Sequence, residues 1–237
     1  MAKGNILKLL GFDEDIRDAF LSGRRLRNCT LIHPPAAPTL SAQDLCFIGV
    51  EEIGGTRGPL IAAAASICSL NWNQGLKTEL DRLNRGSRAA AETMRNQLAE
   101  TLLEQTVWAI GEVSQEQAAK AGSARASQIA IVRAIDSVLV QLDTDPNGIV
   151  IIIDEQKAID KLKHFQMAIA NASDRSASVA AAFTVAKTYR DKLIARTQSK
   201  AKVPAATKSG VENFAPPSPQ EIAALGLSSP VMNVVTR

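Results

Sequence analysis

The sequence predicts a mainly α protein: two long paired, coiled-coil-like helices, a short β or apolar element near 44–50 and another at 149–153, and an extended C-terminal tail. Three observations lead there. Hydrophobic residues make up 46% of the 237-residue chain but aromatics only 4%, so alanine carries much of the apolar content, and alanine is the best helix former. No proline interrupts the stretch between Pro59 and Pro146, or that between Pro146 and Pro204. Within both stretches the apolar residues recur at steps of three and four, the spacing of one helix face.

Taken in order, residues 1–57 form an N-terminal unit. Ile6, Leu9, Leu10, Ile16 and Phe20 outline an amphipathic helix that packs on its own protein. Its apolar run is short and meets Asp13, Glu14 and Asp15, which is not the pattern of a signal peptide. The prolyl run "HPPAAPTL" at 33–40 is an extended connector, because proline lacks the N–H and restricts its predecessor. "DLCFIGV" at 44–50 reads as a short strand ended by a turn at Gly54-Gly55.

Residues 58–203 form an elongated helical unit. Its first part, 58–74, carries no charge between Arg57 and Lys77 and reads as a helix buried on all sides. Its apolar part is shorter than the ~20 residues a membrane span needs. From about Leu76 to Leu142 one long helix is expected, ~100 Å at 1.5 Å per residue, with a bend near Gly122; the alternative is two or three helices joined tightly, since Gly86, Gly111 and Gly122 are weak points and "SQEQ" at 114–117 has the form of a capping box. "DTDPNG" at 143–148 is a tight turn. "IVIII" at 149–153 is a buried strand or the apolar start of a helix, which periodicity cannot separate. A second long helix then follows with Asp154 as its N-cap, and packs along the first. Residues 204–237 hold five of the ten prolines and form an extended or disordered tail.

The strongest hint of chemistry is "GIVIIIDEQ" at 148–156, an apolar run ending in Asp154 and Glu155, the shape of a Walker B strand. Such a strand needs a phosphate-cradling G-x-x-x-x-G-K-[ST] loop. "GVEEIGGT" at 49–56 has the glycine spacing and Thr56, but Gly55 stands where the lysine belongs, and Glu51 and Glu52 would repel a triphosphate. Nucleotide hydrolysis is therefore not expected. His33 and His164 lie in no metalloprotease or serine-hydrolase context; His164 reads as a helix-surface residue. Asp143, Asp145, Asp154 and Glu155 lack the spacing of a calcium loop. Cys29, Cys46 and Cys68 offer neither a disulfide framework nor zinc spacing. No catalytic residue, metal or cofactor is expected.

What remains is a non-enzymatic structural or assembly subunit acting through helix packing and self-association; a virion or tail component fits, and the location is cytoplasmic or within a virion. One alternative is a membrane-active protein inserting through 58–70. Another is a non-specific nucleic-acid-binding protein using 187–208, with Lys187, Arg190, Lys192, Arg196, Lys200 and Lys202 on phosphates. The expected partner is another copy of the chain, docked by Ile222, Leu225, Leu227, Val231, Met232 and Val234 in the tail's apolar islands.

Overall fold

In the computed structural model, the residues described are 12–22, 29–32, 45–54, 59–66, 75–76, 78–80, 88–142, 148–154, 159 and 162–201. They form a mixed six-stranded sheet with helices on both faces, so the expected coiled-coil-like helix pair is not formed. In chain order the elements are α1 (Phe12–Ser22), β1 (Cys29–Ile32), β2 (Cys46–Ile53), β3 (Leu60–Ser66), α2 (Arg88–Gln105), β4 (Val107–Val113), α3 (Gln115–Ala121), α4 (Ser123–Gln141), β5 (Ile149–Ile153), β6 (Phe165–Ile169), a 3₁₀ turn Ala172–Asp174, and α5 (Ala177–Ala201). The tail segments and all six proposed docking residues lie outside the described residues.

Strand order is β1-β6-β5-β2-β3-β4. β2, β3 and β4 form an antiparallel meander, while β5 lies parallel to β2 and β6 parallel to β5. β1 closes the far edge antiparallel to β6. α4 covers β2, β3 and β4 from one side, and α5 covers β2 and β3 from the other. β3 shows the two-faced burial residue by residue. Ala62 and Ala64 join the α4-side core, whereas Ile61, Ala63 and Ala65 join the α5-side core.

This explains why the apolar run at 60–66 is a strand and not a helix. Alanine's helix propensity is a weak prior that tertiary context overrides, and here the run is paired with a strand on each side, β2 and β4. Small side chains are needed because the helices come close. A Cβ on Gly49 would run into the backbone of Ser178 and Val179 in α5, and one on Gly111 into the backbone of Ala130 in α4. Gly111, expected to weaken a helix, is a strand residue at a close approach. Among the described residues no helix is long and apolar enough to cross a membrane.

The long helix expected over 76–142 is not continuous: over the described residues 88–142 the chain forms α2, β4, α3 and α4 in turn. The steps Val107, Ile110, Val113 fit a helix in sequence, yet Val107–Val113 pairs residue for residue with β3. The capping box is formed: Ser114 Oγ accepts from Gln117 N–H and the Gln117 side chain accepts from Ser114 N–H. It starts the short α3. Gly122, with φ 81°, ends α3 and opens α4, a backbone conformation that glycine adopts without strain. The second long helix is also shorter than expected. β6 occupies 165–169, and among the described residues the α-helix runs over Ala177–Ala201. Ile149–Ile153 is fully buried, as expected of a parallel strand covered on both faces.

α1 folds back on the sheet. Ile16 is buried, and the Phe20 ring meets Phe165 edge-on with centroids 5.1 Å apart.

Candidate active site at the strand ends

β2 and β5 are parallel neighbours, and the chain leaves them in opposite directions: from β2 to β3 on one side, from β5 to β6 on the other. Ligands of open α/β sheets bind at such a switch point, outside the carboxyl ends of the strands. Acids stand there. Glu51 and Glu52 are among the last three residues of β2, and Asp154 follows β5 directly, its N–H donating to the Val50 carbonyl at 3.3 Å. That bond carries the Val50–Ile153 pairing one step onward and sets Glu51 beside Asp154 on strands ~4.8 Å apart.

Pleating separates the two glutamates. Ile48 and Val50 belong to the α4-side core, and Phe47 and Ile53 to the opposite side. By alternation Glu51 projects toward α5, where its Oε2 is closed off from solvent. Glu52 projects toward α4, and its Oε2 accepts from the Ser127 hydroxyl. Asp154 shares the α5 side with Glu51. Its Oδ1 accepts from Ala172 N–H at 2.8 Å, and its Oδ2 from Ser173 N–H at 3.4 Å and Ser173 Oγ at 3.3 Å. Asp154 is thus a cap, but of a turn 18 residues later and not of a helix beginning at its own position. Asp174 ends that turn, exposed.

A second polar group lies along the same face. Glu112, near the end of β4, accepts at Oε2 from the Tyr189 hydroxyl of α5 at 3.3 Å, and its carbonyl accepts from Arg133 at 2.5 Å. Two residues on, Asp191 accepts from both Lys187 and Arg95, the Arg95 bond being 3.2 Å. Of the basic residues expected to contact phosphate, Lys187 is therefore held in an internal ion pair. Arg190 has its Nε buried, Lys192 is half-buried and Arg196 exposed on the same helix. Lys200 lies in the last turn of α5, and Lys202 falls outside the described residues.

His164 is not on a helix; it immediately precedes β6. Burial pushes its pKa below the ordinary imidazole value, with the Asp136 carboxylate of α4 opposing.

Sequence reasoning weighed Glu51, Glu52 and Asp154 and gave them no site. The glutamates were set against a phosphate loop and Asp154 against a helix start. The missed signal was that two apolar runs, 44–50 and 149–153, each end in acids. Pairing those runs as parallel neighbours puts the acids side by side.

A site of paired carboxylates at parallel strand ends can orient water, move protons or meet cationic groups, and comparison with known proteins narrows that range. No family model matches the chain. It is similar to ribonuclease HII of Trichormus variabilis, 26% identical over 155 residues covering 64% of each protein. It is also similar to ribonuclease HII of Macrococcus caseolyticus, 32% identical over 146 residues, 62% of this chain and 50% of that one. The chain thus spans between half and just under two thirds of these relatives. Bst-RNase HIII has a similar fold in two solved forms. A point mutant has a TM-score of 0.56 at 16% identity, covering 71% of this chain and 59% of that one; the complex with Mn²⁺ has a TM-score of 0.52 at 17% identity, with the same coverage. The likeness shows an RNase H-like α/β fold, which corrects the mainly α expectation. Relatives named as nucleases also overturn the reading as a non-enzymatic structural or virion subunit, and support neither the membrane-active nor the non-specific nucleic-acid-binding alternative.

Proposed function

We propose that the chain is a ribonuclease-type phosphodiester hydrolase whose working groups stand at the carboxyl ends of β2 and β5. The observation that carries this reading is the placement of Glu51 beside Asp154 at the switch point of the sheet. Its relatives' name supplies the substrate class, RNA. A cytoplasmic setting goes with that substrate.

Bst-RNase HIII was solved with Mn²⁺, so the acids must be tested against a metal. Among the described residues no group of three His, Cys, Asp or Glu is arranged to hold one. Glu52 points to the other face toward Ser127, and both oxygens of Asp154 accept from the 172–173 turn. The carboxylates as they stand do not fit a metal centre, and no step is routed through one.

The chain's own groups still supply acid–base chemistry. Three donors fix the orientation of the Asp154 carboxylate, so its remaining lone pairs can hold a water in one position. That water's oxygen attacks phosphorus while its proton passes to a carboxylate of the Glu51–Asp154 pair; the P–O bond to the leaving oxygen breaks, and that oxygen takes a proton from bulk water. Positioned acid–base groups contribute about 10²- to 10⁴-fold.

The test is cleavage of end-labelled RNA offered as a single strand, as an RNA duplex and as an RNA·DNA hybrid, with DNA as control, with and without Mn²⁺. The full chain should cut at least one RNA form, and Glu51→Gln and Asp154→Asn should each slow cutting about 100-fold or more. A folded chain that cuts none of them, or variants that cut as well as the parent, would sink the reading.

A further inference from the structure

We propose that α4 holds the outer edge of β4 closed against strand addition, with Arg133 and Gln141 as the closing side chains. The partner this excludes is a second copy of the same chain, pairing β4 to β4.

Among the described residues β4 is the last strand of the sheet, with β3 on its inner side. In an antiparallel strand successive residues turn their N–H and C=O groups to alternate sides. The carbonyls of Trp108 and Glu112 accept from α4 side chains: Gln141 Nε2 donates to the first at 3.3 Å, and Arg133 to the second at 2.5 Å. Those two residues therefore turn outward, and Ile110, midway between them, turns outward with them.

The register of helix on strand makes this closure possible. From Arg133 to Gln141 α4 advances about 12 Å; from Glu112 back to Trp108 β4 advances about 13 Å. Two turns of helix thus match two outward carbonyls spaced by Ile110. α4 lies near enough because residue 111 is glycine: a Cβ there would meet the Ala130 carbonyl and the Ala134 nitrogen. Ser137 falls at the midpoint, and its carbonyl takes a bond from Gln141 Nε2 at 2.9 Å, so both hydrogens of that amide are used.

The edge needs closing. β4 is seven residues long, and five of them are buried, Trp108 to Gly111 and Val113; an open edge of that kind is a template for another strand. Its outward groups are also self-complementary. With a two-fold axis at Ile110, Ile110 pairs with its own equivalent, and Trp108 of each copy pairs with Glu112 of the other. That contact needs the two carbonyls that Gln141 and Arg133 occupy. It would also displace or desolvate the Arg133 guanidinium, which keeps its charge at any working pH.

The experiment compares the full parent chain with Arg133→Ala/Gln141→Ala by sedimentation equilibrium across a concentration series. Hydrogen exchange at Trp108, Ile110 and Glu112 is read at both ends of the series. The double variant should self-associate about tenfold or more tightly than the parent, since each closing bond given up is a net hydrogen bond lost on pairing. Its Ile110 N–H should gain protection as concentration rises, and the parent's should not. Gln141→Ala alone, at an exposed position, should show part of the tightening, which keeps the test decisive if the double variant does not fold. Association of the variants no tighter than the parent's overturns the proposal. So does tighter association without added protection at Ile110, or a parent whose own Ile110 N–H becomes protected with concentration.

Discussion

The two faces of the sheet rest on the same alanine-lined strands and carry different loads. The α4 face is nearly all packing: Ile131, Ala134, Ile135 and Val138 of α4 close over Ala62, Ala64, Ala109 and Val113. Its polar features are at the margin, with Ser127 on Glu52 and Arg133 on the Glu112 carbonyl. The α5 face has an equally buried centre in Ala63, Ala65, Ala181 and Val185. Around it, however, run Glu51, Asp154 with its turn, Glu112 with Tyr189, and Asp191 between Lys187 and Arg95. The difference teaches where this fold can hold chemistry. Alanine and glycine let both helices approach, but only on the α5 face do strand ends, a capped turn and a polar helix meet.

The largest effects should be equal on the two faces. Gly49→Ala and Gly111→Ala each drive a Cβ into helix backbone, α5 in one case and α4 in the other. Backbone cannot rotate away as a side chain can, so each should lose about 3 kcal/mol or more, measured by urea denaturation. A variant within about 0.5 kcal/mol of the parent on one face would show that its helix is free to move off the sheet.

An intermediate effect should belong to the α5 face alone. Asp191→Ala leaves Arg95, whose side chain is only 12% exposed, without that carboxylate. The expected loss is about 1–2 kcal/mol, with lower protection of α2 amides in hydrogen exchange. If α2 protection is unchanged, the ion pairs do not hold α2 to α5.

The smallest effect is a pH dependence at His164, beyond the other end of the strands. Its pKa lies below the ordinary 6.5 because burial penalises the charged ring. As pH falls through that ordinary value the unfolded chain takes up the proton first. Stability is therefore full above 6.5 and declines on the acid side, down to the folded pKa. His164→Gln should flatten the slope of melting temperature against pH in that window, and an unchanged slope would assign it to other groups.

The sequence by itself determined local features whose causes are local. The Ser114–Gln117 capping box is formed by groups within three residues of each other. The apolar run at 44–50 is read as a strand and is one, whereas for 149–153 the sequence left strand and helix start open and the pairing with β2 decided for the strand. Residues 177–201 are helical, as their spacing requires. What only the tertiary structure decided was everything that depends on a distant neighbour. Val107–Val113 satisfies helix spacing but is a strand because β3 lies beside it. Alanines 62–65 favour a helix in isolation and become a strand between two others. Asp154 caps a turn it could be matched to only once β5 and β6 were side by side. The site shares this dependence, since Glu51 and Asp154 are more than a hundred residues apart in the chain and become neighbours through the pairing of β2 with β5. Propensity and periodicity act over a few residues; strand pairing, close helix approach and shared hydrogen bonds act across the whole chain, and here they overrode the helical pattern of its middle.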